Sequence, residues 1–137
     1  MTVVFKHLFK PIVTMQYPEE KWRPYARFRG APGLDTKKCA VCCMCTNVCP
    51  AGAITIIGKE NEKGEKLIEK FEIDASRCIY CGLCAEYCPR SAIILTGGYE
   101  LSVFDKKELI YDLAHLEDNV KKYMINDEGG VIEKTKK

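Results

Sequence analysis

Cys39-Ala40-Val41-Cys42-Cys43-Met44-Cys45-Thr46-Asn47-Val48-Cys49-Pro50 decides how this chain is read, because it is written twice. The second copy, Cys78-Ile79-Tyr80-Cys81-Gly82-Leu83-Cys84-Ala85-Glu86-Tyr87-Cys88-Pro89, starts 39 residues later. The match continues past the cysteines, with Ala53-Ile54 falling over Ala92-Ile93. Self-similarity at a fixed period marks a repeated structural unit. The repeat therefore predicts a core with approximate internal two-fold symmetry.

Eight of the nine Cys belong to these two quartets, and an odd total does not suit a fully paired disulfide framework. Each quartet has the spacing C-x2-C-x2-C-x3-C-P. In that arrangement the first three thiolates take three corners of one [4Fe–4S] cubane, and the fourth reaches the other cluster. The expected ligands are Cys39, Cys42, Cys45 and Cys88 for cluster I, and Cys78, Cys81, Cys84 and Cys49 for cluster II. Crossed ligation explains why both quartets occur together and places the clusters within reach of rapid electron exchange. Zinc is the competing reading, since two C-x2-C pairs make a four-cysteine site. It leaves a whole quartet without a task. Cys43 aligns with Gly82, which cannot ligate, so Cys43 reads as a spare thiol beside cluster I.

Outward from the quartets the pattern is a small α+β core. Ala53–Ile57 and Ala92–Leu95 are Ile-rich runs of strand length. Gly58–Glu65 reads as a charged turn. In Leu67–Ile73, residues Leu67, Glu69, Phe71 and Ile73 alternate with Ile68, Lys70 and Glu72, a strand pattern. Short helices are expected around Cys45–Cys49 and Cys84–Cys88, each stopped by Pro. Val41, Met44, Val48 and Ile54 are the expected apolar shell of cluster I. Ile79, Tyr80, Leu83 and Ile93 are that of cluster II. His7, His115, Tyr80 and Tyr87 read as ordinary structural residues.

The expected division is an N-terminal arm (1–33), the two-cluster domain (34–100) and a C-terminal helix with a mobile tail (101–137). In the arm, Val4, Phe5, Leu8, Phe9 and Ile12 fit an amphipathic helix interrupted by Pro11. Tyr17–Gly33, with Pro18, Pro24 and Pro32 among Trp22, Tyr25 and Phe28, reads as an extended segment in need of a surface. Asp105-Lys106-Lys107-Glu108 resembles a capping box, and Leu109, Leu113 and Leu116 extend a helix over 106–116. Val131–Lys137 is the expected mobile end.

Formal net charge is +2, but residues 1–38 carry net +5 and the remainder net −3. Two dianionic clusters would make the core more acidic still. The arm's basic residues are interrupted by Pro and apolar side chains, which argues against nucleic acid. Lys6 cuts the apolar stretch after Met1, and no run reaches transmembrane length. The expectation is an intracellular, reduced protein that does not span a membrane. No nucleophile–base pair or phosphate-binding loop is visible, so no catalytic residue is assigned.

The motifs resemble the bacterial 2[4Fe–4S] ferredoxin fold. Tyr17-Pro18-Glu19, Arg27-Phe28-Arg29-Gly30, Cys78-Ile79-Tyr80-Cys81-Gly82 and Glu108-Leu109-Ile110-Tyr111-Asp112 are similar to the two-cluster subunit of respiratory complex I and its relatives. That resemblance spans roughly residues 5–116. It implies an electron-relay subunit held at the cytoplasmic side of the cell membrane, peripheral to it. The implied partners are other subunits of a membrane-bound complex, including a neighbouring iron–sulfur subunit, with lipid head groups near the arm. The acceptor beyond would be quinone, protons or sulfur compounds. A freely diffusing ferredoxin is the alternative.

Overall fold

The computed structural model describes residues 2–61 and 66–123, and the backbone of 132–134. The strand before each Cys loop pairs with the strand after the other loop. In chain order, β1 is Glu20–Trp22, β2 Pro32–Leu34, β3 Ile54–Glu60, β4 Lys66–Asp74, β5 Ile93–Leu95, β6 Ile110–Tyr111 and β7 Ile132–Lys134. Strand β2 leads into the first loop and pairs antiparallel with β5, which leaves the second. Strand β4 leads into the second loop and pairs with β3, which leaves the first. The registers obey the 39-residue repeat. Pro32 faces Leu95 and Leu34 faces Ile93; the equivalent positions Phe71 and Ile73 face Ile56 and Ile54. The two-fold symmetry expected from the repeat is thus written into the strand pairing.

The apolar runs form these strands because alternate side chains must be buried on one face. Leu34, Ile54, Phe71, Ile73 and Ile93 meet in a single buried cluster. At Ile57/Gly58 the β3–β4 register slips by a bulge. A one-residue slip exchanges the faces of a strand. Beyond the bulge Ile68 therefore packs against the core, while Leu67, assigned by strict alternation to the face of Phe71 and Ile73, is exposed. Strand β3 also runs on to Glu60, so residues 58–60 are strand rather than turn. Residues 62–65 of the expected turn lie outside the described residues.

The C-terminal extension differs more. Asp105 caps as expected, its Oδ1 accepting from Lys107 N at 3.0 Å. The cap opens only a 3₁₀ turn, Lys106–Leu109, followed by β6 on the edge of β4. Ile110 and Tyr111 are β-branched and aromatic, and Tyr111 buries its ring opposite Ile73. The helix restarts as Leu113–Tyr123, capped by Asp112 Oδ1 accepting from His115 N at 2.9 Å. Its Leu116 is fully buried, and Asn119 Nδ2 donates to Pro32 O at 3.0 Å. Gly33 permits this close docking: a Cβ there would lie 2.6 Å from Val120 Cγ2. The expected boundary at residues 33 and 34 falls inside β2, and the C-terminal helix shares the same core.

The N-terminal helix, α1, is Thr2–Leu8 and ends earlier than expected. Pro11 cannot donate to His7 O, and its ring crowds that carbonyl. None of its residues is buried. The arm then holds β1, whose partner is β7, with Trp22 opposite Ile132 and Glu20 opposite Lys134. Ile132–Lys134 is therefore strand where a mobile end was expected, because a lone strand must find a partner for its backbone groups. The rest of 131–137 lies outside the described residues.

Candidate iron–sulfur site

Two short helices carry the third cysteine of each quartet: α2, Met44–Val48, and α3, Leu83–Glu86. The chain on either side of them turns through left-handed backbone at matching places. Val41 and Tyr80 have φ 52°; Cys43 has φ 58° and Gly82 φ 86°; Gly52 has φ 56° and Ser91 φ 48°. Each pair is separated by the repeat of 39 residues. Four of these six residues carry a side chain, so the conformation is held against steric resistance. Alternating right- and left-handed backbone turns successive N–H groups toward one point and makes a concavity for an anion.

Each loop closes over a cavity. Cys39, Cys42, Cys45 and Cys88, together with Cys43, line the first. Cys49, Cys78, Cys81 and Cys84 line the second. The chain thus brings together the eight sequence-expected cysteines in two crossed sets of four. The strand pairing explains the crossing. After Cys49 the chain must reach β3 beside β4, next to the second loop; after Cys88 it must reach β5 beside β2, next to the first.

The apolar shells cross as well, which corrects part of the sequence reading. Ile54 follows Cys49 into the second cavity, and Ile93 follows Cys88 into the first. Val48 and Leu83 line neither. Leu34, Ile56 and Phe71 complete the first wall; Pro32, Ile73 and Leu95 complete the second.

The electrostatics agree with this geometry. Burial raises the Cys39 thiol, and the neighbouring Cys88, Cys42 and Cys43 raise it further. Burial raises Cys78 likewise, with Cys49 and Cys81 adding to it. Cys45 is pushed up to about 11 and Cys84 to about 12, in both cases by burial first. Cys88 goes the other way: burial opposes ionisation, but the backbone N–H groups of Ile93, Ala92, Arg90 and Ser91 outweigh it. Ala92 N donates to Cys88 Sγ at 3.2 Å, and its counterpart Ala53 N to Cys49 Sγ at 3.4 Å. Tyr80 N donates to Cys78 Sγ at 3.4 Å. Such donors favour negative sulfur.

These features fit an iron–sulfur cluster: soft sulfur donors in fours, apolar walls, and amides aimed at sulfur. Among the described residues no three His, Cys, Asp or Glu side chains converge on a point that would hold a single metal ion. The quartets surround a volume instead. Cys43 stands at the mouth of the first cavity in left-handed backbone, and its thiol turns back to Val41 O at 3.8 Å.

Two arginines escaped the sequence reading. Arg90 lines the first cavity, directly after the Cys88-Pro89 pair. Arg29 reaches back from the arm, and its Nη1 donates to Cys81 O. Arg90 stands beside an expected ligand and Arg29 lies in the Arg27–Gly30 stretch that carries the resemblance, but neither signal says what the side chain touches.

The fold and the paired cavities define a two-cluster, ferredoxin-type electron carrier. The family described as "4Fe-4S dicluster domain" matches residues 38–92. The chain is 43% identical over 115 residues to NADH-quinone oxidoreductase subunit I 1 of Geobacter sulfurreducens, covering 81% of this chain and 87% of the relative. It is 48% identical over 116 residues to NADH-quinone oxidoreductase subunit I 2 of Rhizobium meliloti, covering 80% and 62%. Among solved structures it matches a chain of the membrane-bound sulfane sulfur reductase, an archaeal respiratory membrane complex. That match has a TM-score of 0.54 and 35% identity, covering 78% of this chain and 56% of the other. The chain belongs to the family of NADH-quinone oxidoreductase subunit I and carries two [4Fe–4S] clusters.

Proposed function

We propose that this chain is the electron-relay subunit of a complex-I-like, membrane-bound oxidoreductase. In this reading Cys39, Cys42, Cys45 and Cys88 ligate cluster I, and Cys49, Cys78, Cys81 and Cys84 ligate cluster II. When bound, the clusters supply one-electron acceptor sites. The protein's own part is to hold the eight sulfurs, screen them from water with apolar walls, and favour their charge with backbone N–H groups. The observation that carries the proposal is the crossed placement of the quartets, which fixes two sites side by side on one small core.

The arm supports membership of a larger assembly. Phe5, Leu8, Phe9, Ile12 and Val13 are between 66% and 98% exposed, an unusual apolar face for a chain acting alone. Partner subunits, including a neighbouring iron–sulfur subunit, would cover it, with anionic head groups facing Lys6 and Lys10. The expected place is peripheral, on the cytoplasmic side of the membrane. No helix among the described residues is long and apolar enough to cross one. The names of the relatives differ in acceptor, quinone in one and sulfane sulfur in the other, so the terminal acceptor belongs to the partners.

Anaerobic purification from washed, mildly solubilised membranes, followed by mass spectrometry, tests this. Stoichiometric recovery with membrane subunits and a second cluster protein is expected. Recovery of the chain alone in the soluble fraction would replace the relay subunit with a freely diffusing ferredoxin.

A further inference from the structure

The two cavities are near twins in sequence and backbone but not in what lies over their loops. In the first loop Cys42, Cys43 and Met44 are exposed. In the second, Gly82 is buried, and the side chains of Arg29 and Leu95 lie against it. A Cβ on Gly82 would stand 3.3 Å from Arg29 Cδ, 3.4 Å from Leu95 Cδ1 and 3.9 Å from Arg29 Nη1. The same guanidinium donates to the carbonyl of Cys81, a residue that lines the second cavity. Glycine at 82 therefore does two things. It tolerates φ 86°, and it leaves room for an arginine to lie on the loop.

Arg29 is held from both sides. Before it, the Phe28 ring stands edge-on to Tyr99, with centroids 6.5 Å apart at 89°. After it, Gly30 N donates to Thr96 O at 3.0 Å and Ala31 N to Gly98 O at 2.7 Å. Both fixtures belong to the segment that follows β5. The arm thus delivers one positive charge to the second loop and anchors the backbone that carries it.

We propose that Arg29 is a positioning residue that raises the reduction potential of cluster II selectively. The inference rests on the two-cluster relay reading above. Each added electron makes a cluster more negative. A guanidinium beside the loop stabilises that state more than the oxidised one and, through the Cys81 carbonyl, holds the loop in place. Because the charge is supplied by the arm, anything that lifts the arm from the core also lowers the potential of cluster II.

The test is an anaerobic EPR-monitored redox titration of the full chain with both clusters loaded. Arg29→Gln, Arg29→Lys and wild type are compared, and Cys81→Ser marks the cluster II wave. Arg29→Gln is expected to move that wave to more negative potential and leave the other in place, whereas Arg29→Lys stays near wild type. An equal shift of both waves, no shift, or a lysine variant displaced as far as the glutamine variant would overturn the role. If Arg29→Gln fails to load, the wild type is titrated at low and high salt. Screening should then lower the cluster II wave more than the other, and equal responses overturn the proposal. Two intact waves with no selective shift would reject Arg29 and leave the relay standing. A chain with no reducible cluster would reject the relay itself.

Discussion

Val41 and Tyr80 occupy equivalent places in the two Cys loops and share the same left-handed backbone, φ 52° in each. Neither residue is glycine, so this conformation is costly, yet it is kept in both copies. The shared demand is a loop whose N–H groups face a group of sulfurs. Tyr80 N meets that demand directly by donating to Cys78 Sγ.

The second left-handed position separates the copies, with Cys43 in one and Gly82 in the other. Cys43→Gly should relieve about 1 kcal/mol of strain and slow the loss of clusters on mild heating. Iron and sulfide content should not change, since Cys43 is not among the proposed ligands. Gly82→Ala should do the opposite, with about 1–2 kcal/mol lost to the backbone and further crowding against Arg29. Cluster bleaching followed by visible absorbance checks both.

Glu100 fastens the arm to the core. Its Oε1 accepts from Tyr17 Oη at 2.7 Å and pairs with Lys21 Nζ at 2.6 Å. Glu100→Ala should leave both clusters loaded but expose the arm to faster limited proteolysis. It should also weaken recovery with membrane subunits. Cleavage and recovery unchanged from wild type would remove this fastening role.

Leu116 is the side chain through which the C-terminal helix enters the core, with none of its surface exposed. Leu116→Ala should cost about 2–5 kcal/mol through lost burial and a cavity. Thermal unfolding of the loaded chain should shift down accordingly. Exposed Ala114 on the same helix should tolerate Ser with little change.

In the cluster-free chain, burial holds Cys45 at about 11 and Cys84 at about 12, against an ordinary 9.0. An unfolded chain releases these protons near pH 9 while the folded chain keeps them. The folded state then binds more protons, so its stability falls as pH rises from about 9 toward 11–12. Denaturant unfolding of the cluster-free chain followed by circular dichroism should show this decline. The loaded chain, whose ligands are already thiolates, should be much flatter over the same range.

The eight cysteines and their crossing were legible because the spacing of a quartet and the order of the strands express one constraint. Phe71 and Ile73 were legible as strand residues through alternation, and Ile54 and Ile93 through short Ile-rich runs. Other features leave no local trace. The bulge at Gly58 exchanges the faces of Leu67 and Ile68 without changing composition. Ile110–Tyr111 is a two-residue strand, too short to show a period, and its helical neighbours masked it. The pairing of β1 with β7 joins segments more than 100 residues apart. Arg29 belongs to the Arg27–Gly30 stretch that carries the resemblance, but nothing in the sequence says that the fold lays it on Gly82.

Anaerobic coulometric reduction of the purified chain, with iron and acid-labile sulfide measured on the same sample, tests the central claim most directly. The account predicts reversible uptake of about two electrons per chain, with about eight iron and eight sulfide. Uptake of no electrons by a chain holding bound zinc and no sulfide would contradict it.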